Sequence, residues 1–147
     1  MKIQHLLEEI EHGRMANPLG TPPEHIYDVM DEVYEVETKF FNAINKPNGH
    51  LPFEQRARIG ADGISKLGKH TKLPISDLIP MEPSLNIEHM QRELSNEPAT
   101  VYLYKGKCYI SDGNHRVAKA FQRGETHVIV NLIDVNDIAR AAEEMGK

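Results

Sequence analysis

Residues 109–124 leave this chain few ways to fold. Tyr109 and Ile110 suit a strand, and Asp112-Gly113 signals a tight turn in which Gly113 is free to take a positive φ. Val117, Ala118 and Phe121 then recur at helical spacing, and Gly124 supplies a helix stop. The stretch therefore reads as strand, turn and helix, with Asn114, His115 and Arg116 at the helix entrance. Backbone N–H groups there lack partners and the helix dipole is positive, so an anion is favoured. Arg116 adds a planar, permanently charged fork that suits phosphate oxygens, and His115 can donate a hydrogen bond or move a proton near neutral pH. The chemistry this pattern fits best is phosphate binding. The competing reading is a turn and an ordinary helix, with no ligand.

Apolar periodicity organises the rest. Ile3, Leu6, Leu7 and Ile10 predict an amphipathic helix over residues 2–12. Thr21-Pro22-Pro23-Glu24 reads as a helix start, with Thr21 as cap and Pro22 at the first helical position. Ile26, Val29, Met30, Val33, Phe40, Phe41 and Ile44 mark the buried face of a long helix to about Asn45, and the acids between them form its solvated face. From Phe53 to Lys72 the charges are Glu54, Arg56, Arg58, Asp62, Lys66, Lys69 and Lys72, an excess of positive ones. With Gly60, Gly63 and Gly68, residues 46–70 read as a basic connector, either a short helix around 53–67 or a mobile loop over a site.

Leu73–Pro80 reads as a short strand and a turn, and Asn86 as the cap of a helix bearing Ile87, Met90, Gln91 and Leu94. Residues 101–104 and 108–110 form a hairpin around Lys105-Gly106-Lys107. His127–Ile133 is a strand rich in β-branched residues. Ile138, Ala141, Ala142 and Met145 give a last helix with Asn136 as cap. The expected fold class is α/β (α+β): a small mixed sheet with packed helices, preceded by a helical N-terminal segment. At 147 residues the expectation is one domain, made of a helical extension (1–70), a core (72–135) and a C-terminal helix (136–147).

Composition narrows the function classes. No apolar run approaches a membrane span, the N-terminus lacks a signal-peptide apolar region, and Cys108 is the single cysteine, so the expected setting is cytoplasmic, without a disulfide framework. A net charge of -5 argues against a wholly basic nucleic-acid binder.

Residues 72–135 resemble the superfamily of the ParB N-terminal domain and sulfiredoxin. The resemblance rests on the order of parts: Leu73-Pro74-Ile75-Ser76-Asp77-Leu78-Ile79-Pro80, a helix, the hairpin, then Asp112-Gly113-Asn114-His115-Arg116 with its helix, Gly124 and a closing strand. Sulfiredoxins carry a catalytic cysteine where this chain has Asn114, so the resemblance does not extend to sulfinate reduction. Partitioning ParB proteins carry a second arginine where this chain has His115. Closest in wording are the free-serine kinases of this fold, whose Asp-Gly-His-His-Arg motif differs only at Asn114. The resemblance implies a nucleotide ligand (ATP, ADP or CTP), with Gly113, Asn114, His115 and Arg116 at its phosphates. Asp112 is the candidate to hold a magnesium ion or to orient the attacking hydroxyl or water, with His115 and Glu82 as further catalytic candidates. It implies phosphoryl transfer or nucleotide hydrolysis. The alternative is a non-catalytic adaptor that keeps the fold to bind DNA or a protein.

Overall fold

The computed structural model describes residues 13–92 and 97–147. The helix expected over 2–12 and the position of Leu94 lie outside the described residues. The architecture is mixed α/β, a five-stranded mixed sheet and a separate two-stranded ribbon with helices packed on both.

In chain order the elements are β1 (Arg14–Ala16), α1 (Ile26–Ile44), α2 (Phe53–Ser65), β2 (Lys69–Pro74), β3 (Leu78–Pro80) and β4 (Ser84–Asn86). Then follow α3 (Ile87–Gln91), β5 (Ala99–Tyr104), β6 (Lys107–Asp112), α4 (Asn114–Gln122), β7 (His127–Asp134) and α5 (Val135–Met145). The main sheet runs β2-β7-β5-β6-β3; β5 is parallel to β7 and antiparallel to β6, while β3 joins β6 in parallel. Lys105 and Gly106 both take positive φ, 49° and 78°, the twist a two-residue hairpin loop requires.

Strand alternation divides the core. Tyr102, Tyr109 and Ile133 face α1 and α5, where Val33, Phe40 and Ile138 meet them. Val101, Ile110 and Val130 point to the other side and pack against Val117 and Ala120 of α4. The ribbon of β1 and β4 lies beyond α4, with Leu85 and Met90 against Ala118. Glu37 of α1 reaches the sheet and accepts the Tyr102 hydroxyl at 2.8 Å.

Several expectations shift. α1 starts at Ile26, not beside Thr21, because Pro22-Pro23 is followed by a turn in which Ile26 N donates to Pro23 O at 3.0 Å. Met30 is 37% exposed, so it belongs to the outer face of α1 rather than the core. Residues 53–65 are helical, the first of the two forms open for the connector. α5 is capped by Asp134, whose carboxylate accepts the Asn136 N–H at 2.9 Å; Asn136 is the donor, not the cap. Asn86 caps α3 as expected, accepting from His89 N at 3.0 Å. No helix among the described residues is long and apolar enough to cross a membrane.

Candidate functional site

β6 delivers the chain to the site. Its last residue is Asp112, Gly113 follows at φ 91°, and α4 begins at Asn114. A side chain at 113 is opposed twice: by the left-handed backbone, and by Ala99, whose Cβ would stand 2.7 Å from a new Cβ. Among the described residues no side chain caps α4, and its first backbone bond, Val117 N to Gly113 O, is 3.1 Å long. The first turn of α4 thus presents its positive end without a side-chain cap.

A cleft of about 600 Å³ opens beside this turn, lined by Asp112, Gly113, His115 and Arg116 of the motif. The remaining wall comes from elements far away in sequence. α2 supplies Asp62 and Ser65, α3 supplies His89, and β7 supplies Asn131. Asn131 is 92% buried by its 8% exposure, and its amide donates to Ser65 O at 3.0 Å, tying β7 to the end of α2.

His115 is held rather than free. Its Nε2 accepts the backbone N–H of Asn86 at 3.0 Å, and its ring meets that of His89 nearly edge-on, centroids 5.2 Å apart. Burial pushes its pKa below the ordinary 6.5; Glu82 opposes this, while His89, Arg14 and Lys119 reinforce it. His115 is thus neutral near pH 7. With Nε2 accepting, its proton sits on Nδ1, the atom left to donate to a ligand.

The other sequence candidates separate. Asp112 is exposed and lines the cleft beside Arg116. Asn114 has 2% exposure, and neither atom of its amide has a hydrogen-bond partner among the described residues. Asn114 is not among the residues lining the cleft, so the structure does not bring it to the site with Asp112, His115 and Arg116. Glu82 is not in the cleft: it lines a second depression with Met81, Tyr102 and Ser111. The structure therefore does not bring Asp112 and Glu82 into one cavity.

Sequence reasoning missed His89, Asn131 and Ser65. Asn131 did carry a signal, as a lone amide inside the apolar run Val128–Ile133. His89 and Ser65 carried none, since each is an ordinary polar residue on an amphipathic helix. No protein-family model, curated protein or solved structure matches this chain.

Proposed function

We propose that the cleft binds a nucleotide or a related phosphate ester, with its phosphates at the start of α4, and carries phosphoryl transfer or nucleotide hydrolysis. The observation that supports this most is the coincidence of an uncapped helix start, Gly113 in the left-handed region and Arg116, all at one cleft of about 600 Å³. Arg116 and the backbone donors would hold phosphate oxygens, and His115 would donate from Nδ1. Asp112 would orient the attacking hydroxyl or water.

The lining also carries Asp62, Glu97 and Asp112, which repel a bare polyphosphate. No cluster of three metal-ligating side chains occurs among the described residues. A magnesium ion would be held here by Asp112 with the help of the ligand's phosphates, the usual mode for this ion. It would neutralise charge on the transferring phosphoryl group. Binding should accordingly need magnesium.

Calorimetric titration with ATP, ADP and CTP, with and without magnesium, tests this alongside turnover of each. Arg116→Ala should weaken binding by about 10- to 100-fold, the loss expected of a charge-assisted contact worth ~1.5–3 kcal/mol. Arg116→Lys should recover only part of it. Asp112→Asn should abolish turnover while keeping the fold. Unchanged nucleotide affinity in folded Arg116→Ala protein would remove the reading. A salt-dependent DNA shift without turnover would favour the adaptor.

A further inference from the structure

A second surface lies on α1 and shares Ala61 of α2 with the lining of the cleft. Tyr27, Met30, Tyr34, Thr38 and Phe41 follow one another at helical spacings of three and four, the seam of a helix that packs on another helix. Yet Tyr27 and Tyr34 are 72% and 69% exposed. Nearby Phe53 is 65% exposed and lies 6.1 Å from Phe41, ring centre to ring centre. Isolated exposed aromatics need no explanation, but a continuous set does.

Two depressions flank Tyr34 and share it with Glu37. One, of about 380 Å³, runs past Met30 to Met81 and Glu82. The other, of about 420 Å³, runs between α1 and α2 to Phe53 and Ile64. Together they form a groove with an apolar floor. Its carboxylates are Asp31, Glu37 and Glu82, and its lining contains no lysine or arginine among the described residues. Arg56, outside that lining, is turned onto the Phe53 ring at 5.7 Å.

We propose that this groove docks an amphipathic helix of another protein, one whose apolar anchors are flanked by lysine or arginine. The two depressions take anchors one or two helical turns apart, with Tyr34 between them, in the manner of a helix laid in a groove. Asp31 and Glu82 choose the partner by charge. A second copy of the same surface would set these carboxylates against themselves. Residues 2–12 of this chain carry Glu8, Glu9 and Glu11 against Lys2, so they lack the complementary sign as well.

The test uses the full chain and synthetic amphipathic peptides, with amide NMR shifts and calorimetry as readouts. A Leu/Lys helix should bind saturably and shift signals around Tyr34 and Phe53. A Leu/Glu helix and a Leu/Lys peptide scrambled to lose its apolar face should not. Tyr34→Asp, an exposed change that leaves the core untouched, should lower affinity about tenfold or more. Asp31→Asn should flatten the salt dependence, and Arg116→Ala should leave peptide binding intact. Failure of the Leu/Lys helix to bind, equal binding of the scrambled peptide, or indifference to Tyr34→Asp would each overturn the proposal. So would a dimer of the protein that Tyr34→Asp dissolves, since the occupant would then be a second copy.

Discussion

At the scale of single residues, Asp112-Gly113 was readable because only a glycine satisfies a left-handed turn packed against Ala99. Asn114 was not, because the entrance of a helix has both an open and a buried side, and only packing decides which one a residue takes. Its buried, unpartnered amide makes a prediction. Asn114→Leu keeps most of the volume and removes both polar atoms, so stability should rise by about 1 kcal/mol in urea denaturation. A loss would show that the amide is satisfied in solution. His115 gives a second. Its folded pKa lies below the unfolded 6.5, so as pH falls through 6.5 the unfolded chain takes up a proton that the folded one refuses. Stability from this residue should therefore fall as pH drops below about 6.5, and His115→Gln should remove that part of the slope. Melting temperatures of both proteins across this range check it.

Helices and long strands were legible at the element scale through their periods, whereas junctions and short pairings were not. β1 and β4 are three residues each and pair Arg14 with Asn86 across the chain, so neither offers a period to read. At the start of α5 the sequence pointed to Asn136 as the cap, and the structure gives that place to Asp134. The strand settles the matter, because β7 runs without a loop into the helix and its last residue becomes the cap. Asp134→Ala should cost about 1 kcal/mol, while Asn136→Ala should change stability by only a few tenths. Equal losses, measured by chemical denaturation, would contradict the assigned cap. The cleft shows the same division. Its motif side follows from one contiguous stretch, but Ser65, His89 and Asn131 are joined to it only by the fold.

For the whole molecule, the resemblance covered residues 72–135, yet β2 already begins at Lys69 and pairs with β7 along its full length. α1 gives Ile26, Val29, Val33 and Phe40 to the same core cluster as Tyr102, Tyr109 and Ile133. A fragment 72–147 should therefore show no cooperative melting by calorimetry; a stable fragment with a sharp transition would make the helical part an appendage. The sheet order has one more consequence. Its outer strands are β2, which exposes Lys69, His70 and Lys72, and β3, which is three residues long and ends in Pro80. Charged and proline-bearing margins are poor templates for a further strand. The sheet is thus guarded against growing by recruiting copies of itself into fibrils, and lasting association is steered to the helical surfaces.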